Sequence, residues 1–170
     1  MEYLKQFADA EKSGKPLADS SDCASCFLCD AAAVETGTDE ARDRLVLLRD
    51  QRGVILLNRY PYTNGHLLVC LGDHLAGLSD LSSEQRANMM ELTTLGDTLL
   101  RTAVNAQGTN IGMNLGRCAG AGVPGHLHMH IVPRWAGDTN FMQAVGGVRV
   151  IPEALEESYE HLSATFKKMV

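Results

Sequence analysis

His126-Leu127-His128-Met129-His130-Ile131-Val132-Pro133-Arg134 is the stretch from which the rest of the chain can be read. Histidine alternates with an apolar residue, which is the period of a β-strand. The three imidazoles should therefore emerge on one face while Leu127, Met129 and Ile131 enter a core on the other. Strand residues two apart lie ~6.5–7 Å apart along the chain, so neighbouring imidazoles can surround one tetrahedral group such as a phosphate. A neutral histidine can attack phosphorus when its other ring nitrogen donates to a fixed acceptor, and flanking histidines can donate to the developing charge. His128, in the middle, is the natural nucleophile. Two other readings compete. His-x-His on a strand also supplies two ligands of catalytic zinc sites, with a third histidine completing an open coordination sphere. Three histidines satisfied within a core would instead need a partner for every ring nitrogen.

Immediately upstream, Gly116-Arg-Cys-Ala-Gly-Ala-Gly-Val-Pro-Gly125 carries four glycines. Glycines let backbone N–H groups turn inward and form an anion-binding concavity without side-chain bulk, and a phosphate-directed strand follows at once. Further back, Arg44–Arg49 and Val54–Asn58 are short apolar runs around Asp50-Gln-Arg-Gly53, which reads as a β-hairpin. A turn-rich loop, Arg59-Tyr-Pro-Tyr-Thr-Asn-Gly65, leads into a third strand, His66–Leu71. Ser82 and Gln85 form a capping-box pattern. Met89, Leu92, Leu95, Leu99 and Ala103 then recur at helical spacing as far as Asn105, with Gly108 breaking the helix and Gly96 inside it. Asn110–Asn114 is a fourth strand.

The flanks are less regular. Leu4, Phe7 and Ala10 suggest a short amphipathic helix in residues 1–17, and residues 18–40 read as a polar loop pinned by something other than hydrophobic burial. Residues 146–151 read as a weak strand. Pro152 opens a last helix with Leu155, Tyr159, Leu162, Phe166 and Met169 on one face. Strand pairs, one long helix and further strands fit an α+β domain, with helices on one face of a mainly antiparallel sheet.

At 170 residues and 45% hydrophobic content the chain fits a single domain over residues 1–170. Within it, 1–43 form an N-terminal helix and cysteine-containing loop, 44–135 the core, and 136–170 a C-terminal extension. The formal net charge of −6 offers no basic field for a nucleic-acid polymer or an anionic membrane, so any phosphate must be held locally. No apolar run approaches the ~18 residues of a membrane span, and the N-terminus lacks a signal-peptide layout, so a cytoplasmic location is expected. Three of five cysteines crowd into Cys23-Ala-Ser-Cys26-Phe-Leu-Cys29, which in a reducing compartment points to metal ligation rather than a disulfide framework. Cys70 and Cys118 read as ordinary thiols.

His126-Leu-His-Met-His130-Ile-Val resembles the signature of the histidine triad (HIT) family, and Asn58-Arg-Tyr-Pro-Tyr-Thr-Asn-Gly-His66-Leu-Leu-Val resembles its upstream strand-turn-strand. Ala119–Gly122, Pro133–Trp135, Gly137–Met142 and the stretch ending Val150–Glu153 are similar to a bacterial branch related to diadenosine tetraphosphate phosphorylases and hydrolases. The resemblance implies a five-stranded antiparallel sheet with a long helix and a C-terminal helix, usually in a homodimer. It implies cleavage next to an adenosine-type nucleotide through a covalent nucleotidyl-histidine. His128 takes the nucleophile position, His126 and His130 assist at phosphate, and His66 supports the triad from behind. Asn58 matches the position that contacts ribose and Leu56 lies near the base. Asn114 with Gly116, Gly120 and Gly122 lies along the phosphates. An intact His130 favours hydrolysis over transfer, with phosphorolysis left open. The resemblance also implies a closed, structural zinc held by Cys26, Cys29, His74 and His126, with Cys23 a replacement ligand. The reading from another class is a nucleotide-binding sensor or interaction module with slow turnover; retention of a nucleophile argues for chemistry.

Overall fold

The computed structural model describes residues 23–138 and 153–169. The expected N-terminal helix in 1–17, the weak strand at 146–151 and the helix-opening Pro152 lie outside them. A 3-10 turn at Cys23–Ser25 precedes α1 (Phe27–Ala32) and α2 (Asp39–Asp43). Next come β1 (Val46–Asp50), β2 (Gly53–Leu57), β3 (Leu67–Cys70), α3 (Ser83–Val104) and β4 (Gly108–Met113). A second 3-10 turn at Arg117–Ala119 leads to β5 (His128–Arg134), and α4 (Leu155–Met169) ends the described chain. The five strands form one sheet in the order β1-β2-β3-β5-β4, and every neighbouring pair is antiparallel.

The structure places two short helices where the sequence read as a polar loop. Residues 18–40 read as irregular because α1 and α2 are too short for a full period of apolar residues to show. Thr38 caps α2, its hydroxyl accepting from the Ala41 N–H. Arg44 and Leu45, expected in the first strand, instead end α2: Leu45 sits at φ 62, so β1 begins at Val46. The hairpin turn is as expected, with Gly53 opening β2 at φ 145, where a Cβ would collide with the Cys70 carbonyl.

The long helix begins with the full capping box: the Gln85 N–H donates to Ser82 Oγ, and the Ser82 N–H to Gln85 Oε1. It ends before Gly108, because Asn105 adopts the left-handed conformation that terminates helices, and Gly108 opens β4, two residues ahead of the expected Asn110. Gly96 faces a side chain rather than a backbone; a Cβ there would lie 2.7 Å from Ile131 Cδ1. The helix therefore sits close on the strand that carries the histidines.

On one face of the sheet, α3 and α4 bury Leu67, Val69, Leu127, Met129 and Ile131 against Leu92, Leu99 and Leu162. The sequence pattern puts helices on one face only and assigns none to the other. That other face carries a second cluster in which Cys26, Leu28 and Ala31 of the α1 segment pack on Val54, Leu56, Leu68 and Cys70. Burial on both sides explains why β2 and β3 read as unbroken apolar runs rather than alternating ones. No described helix is long and apolar enough to cross a membrane.

Candidate functional site

β5 pairs with β3 so that His128 lies opposite Cys70 and His130 opposite Leu68. Met129 and Ile131 point to the α3 core, and alternation sends His128 and His130 to the other face. Their rings meet edge to face, with centroids 5.0 Å apart. His126 and Leu127, expected within the strand, precede it. The Leu127 N–H is taken by the Leu75 carbonyl and the His126 N–H by Val123, so the sheet register starts only at His128.

Hydrogen bonds fix the tautomer of each ring. His128 Nδ1 lies 2.8 Å from the His126 carbonyl oxygen, which can only accept, so the proton is on Nδ1 and the lone pair on Nε2. Burial holds the His128 pKa below the usual histidine value, partly offset by that carbonyl, which keeps the ring neutral and nucleophilic. His66 is completely buried and accepts at Nδ1 from the Tyr62 backbone N–H at 3.1 Å, with Asn58 Nδ2 at 3.3 Å from the same atom. Its proton is therefore on Nε2, which donates across 3.0 Å to His130 Nδ1. That leaves His130 with its proton on Nε2, a buried N–H with no partner among the described residues. Burial, with the nearby His128, pushes the His130 pKa down to about 4. The pair thus offers one lone pair and one N–H donor, suited to a phosphorus atom and an oxygen bound to it.

Asn58 ends the β2 side of this arrangement, its Oδ1 accepting from the Tyr60 N–H. Leu56, one alternation earlier, is buried in the cluster with Leu28 and Leu68 on the face of the histidines. Asn114 follows Met113, which pairs with Met129, so it lies at the level of His128 across the sheet. Its Nδ2 donates to the Gly120 carbonyl at 3.4 Å, and Gly116 (φ 80) and Gly120 (φ 86) both take left-handed backbone that curls the loop around the Arg117–Ala119 turn. Gly122 lies between Ala121 and Val123, which are buried. Tyr62 was given no role from the sequence. Its backbone sets the His66 tautomer, and its ring stacks on His130 at 6.0 Å and 16°. The one available signal was an aromatic residue four before a histidine in a turn.

The first histidine of the triad turns elsewhere. His126 Nε2 lies 3.1 Å from the Leu71 carbonyl oxygen, so Nε2 is protonated and Nδ1 carries the lone pair. Nδ1 faces Cys26 Sγ at 3.4 Å and Cys29 Sγ at 3.5 Å. His74 Nδ1 lies 3.2 Å from Cys29 Sγ, and ligand atoms of Cys26, Cys29, His74 and His126 all fall within 4.8 Å of one another. Two sulfurs and two imidazole nitrogens on one point, one imidazole anchored through its other nitrogen to a carbonyl, fit a closed tetrahedral structural zinc. Burial and the thiols of Cys23 and Cys26 push the Cys29 pKa up, a cost that a bound cation would reverse. Cys23 lies outside the four, but its Sγ is 3.0 Å from Cys29 Sγ. The three triad histidines therefore do not converge on one cation: His126 serves the sulfur cluster, and His130 presents a proton.

The chain is 36% identical over 124 residues to a Mycobacterium tuberculosis protein named AP-4-A phosphorylase, a match that spans 73% of this chain and 64% of that relative's length. It is 29% identical over 93 residues to the asymmetrical bis(5'-nucleosyl)-tetraphosphatase of Schizosaccharomyces pombe, spanning 55% of this chain and 50% of that one. A solved structure, a zinc-bound histidine triad family protein from Mycobacterium smegmatis, superposes with a TM-score of 0.68 at 28% identity and covers 87% of this chain and 97% of its own. The sequence model of the HIT domain matches residues 39–137, from the start of α2 to the turn after β5, and the chain belongs to the HIT domain family.

Proposed function

We propose that this chain is an enzyme that cleaves dinucleoside polyphosphates, such as diadenosine tetraphosphate, through a nucleotidyl-His128 intermediate. The observation that carries the reading is the tautomer of His128: Nδ1–H is bound to the His126 carbonyl, which leaves the Nε2 lone pair beside the His130 N–H. His128 Nε2 attacks the phosphorus next to a nucleoside, the bond to the remaining polyphosphate breaks, and water or orthophosphate then takes the nucleotidyl group from His128. His130 Nε2–H donates to a phosphate oxygen, and His66 holds it in that tautomer. Asn114 and the loop glycines Gly116, Gly120 and Gly122 line the phosphates, Asn58 contacts ribose, and Leu56 lies under the base. The names of the M. tuberculosis and S. pombe relatives support this substrate class.

Cys26, Cys29, His74 and His126 would hold a structural zinc, and in this reading their effect on the triad passes through the His126 backbone. The His126 side chain would be held by the metal while its carbonyl holds His128, so His126 serves as a positioning residue rather than a proton donor. The zinc-bound M. smegmatis neighbour supports the assignment.

We infer a homodimer paired along β4. That strand is at the sheet edge, contains no charged residue, and exposes Ile111 by 47%, with Leu115 just beyond it at 48%. A solitary edge strand is ordinarily protected by charge, proline or a bulge, and a second copy would cover this one. Thiols at all five cysteines are consistent with a cytoplasmic location.

Turnover of diadenosine tetraphosphate with and without orthophosphate, with products resolved, tests the activity. ADP with ATP means phosphorolysis and AMP with ATP means asymmetric hydrolysis. Two ADP without orthophosphate would contradict attack at the nucleoside-linked phosphorus.

A further inference from the structure

The third cysteine of the cluster has no place in the metal set, yet it touches that set. Cys23 is exposed on the 3-10 turn, and its Sγ is 3.0 Å from Cys29 Sγ. Cys29 is the sulfur that both histidines approach, His74 at 3.2 Å and His126 at 3.5 Å. Cys26, by contrast, is 1% exposed and packed against Leu56 and Leu68. The cluster thus has one solvent-facing thiol next to a ligand central to it, and one ligand sealed within the core.

We propose that Cys23 and Cys29 are an oxidisable dithiol through which a hydroperoxide releases the structural metal; the inference rests on the zinc reading above. The Cys23 sulfur attacks the peroxide, forming an S–O bond and expelling water. The Cys29 sulfur then attacks the oxidised Cys23 sulfur, forming the S–S bond and expelling a second water. The Cys23 thiol and the zinc-bound Cys29 thiolate supply two electrons to one hydrogen peroxide, and the Cys23 proton with one proton from solvent completes the two waters, leaving one disulfide. The electron pair that Cys29 offers to zinc becomes the new S–S bond, so the metal keeps only Cys26, His74 and His126, and a closed site becomes a three-ligand site. Exposure makes Cys23 the entry point, and contact makes Cys29 the partner.

The consequence reaches the triad in two residues. The His126 side chain faces the cluster, and its carbonyl fixes His128 Nδ1 at 2.8 Å. Loss of Cys29 from the metal loosens the side chain whose backbone sets the His128 tautomer. Oxidation at an exposed turn is thereby coupled to the nucleophile without entering the substrate groove.

The test treats zinc-loaded full-length protein with hydrogen peroxide and follows released zinc with a chromogenic chelator. Free thiols are then blocked with light iodoacetamide, and reduced disulfides are labelled with the heavy form. The expected result is heavy label on Cys23 and Cys29, light label on Cys26, and release slowed at least ~10-fold by Cys23→Ser, which leaves zinc content and basal turnover unchanged. Heavy label on Cys26 with Cys29, or equal release from Cys23→Ser, would overturn the proposal. Protein that carries no zinc before oxidation contradicts the zinc reading alone, and the label positions still decide whether Cys23 and Cys29 are the dithiol.

Discussion

His66 Nε2 donates to His130 Nδ1 across 3.0 Å, and this bond decides which nitrogen of His130 carries the proton. The chain of donors starts at the Tyr62 backbone N–H, passes through the buried His66 ring and ends at the His130 Nε2–H. Remove its middle member and His130 is free to carry its proton on Nδ1, turning an acceptor toward phosphate oxygens.

His66→Leu should therefore lower turnover of diadenosine tetraphosphate by ~10²-fold. Nucleotide affinity should change little, whereas the melting temperature should fall by a few degrees, because the Tyr62 N–H and Asn58 Nδ2 lose a buried acceptor. Steady-state kinetics with calorimetric binding would check it. A turnover number within about twofold of wild type would mean that the His130 tautomer is set by something else.

The depressed His130 pKa makes stability depend on pH in a defined direction. The folded ring titrates at about 4 against an ordinary 6.5, so between those values the unfolded chain binds the extra proton and the folded one does not. Stability contributed by the neutral ring is complete above 6.5 and declines as pH falls through that window toward 4. In His130→Gln the proton uptake on unfolding near the middle of the window should drop by about one per chain, measured from the pH dependence of denaturant unfolding. An unchanged slope would contradict it.

Metal removal should act on folding before chemistry. Fresh protein is expected to carry about one zinc per chain, and Cys26→Ser/Cys29→Ser none, with the melting temperature lower by at least ~5 °C. Elemental analysis beside thermal denaturation gives both numbers. Zinc-free protein that melts with the zinc-loaded form would remove the structural role.

Ile111→Lys places a charge on the outer strand at its most exposed apolar position. Light scattering should find the wild type as a dimer and the variant as a monomer, with the fold intact by circular dichroism. A dimer that survives the substitution would relocate the interface away from β4.

Much of this was legible in the residues. The alternation of histidine with Leu127, Met129 and Ile131 announces the strand and both of its faces, and Ser82 with Gln85 fixes the start of α3. Local patterns of this kind are visible because they repeat within a few residues. The parts that were hidden depend on atoms far apart in the chain. The Leu71 carbonyl that orients His126 lies 55 residues away, and the His66–His130 bond spans 64. Leu45 at positive φ displaced the start of β1 because nothing in a leucine marks a left-handed backbone. The pair of short helices between Phe27 and Asp43 stayed hidden because neither is long enough to display a 3.6-residue period.

The central claim is that His128 Nε2 becomes bonded to phosphorus. Wild-type protein mixed with diadenosine tetraphosphate labelled at the nucleoside-linked phosphorus, quenched in base within a single turnover and digested, should yield an acid-labile nucleotidyl adduct on His128. The adduct should be absent from His128→Ala, a variant that still binds nucleotide. Full consumption of substrate with no label on the protein at any time would contradict the account and leave His128 without the role assigned to it.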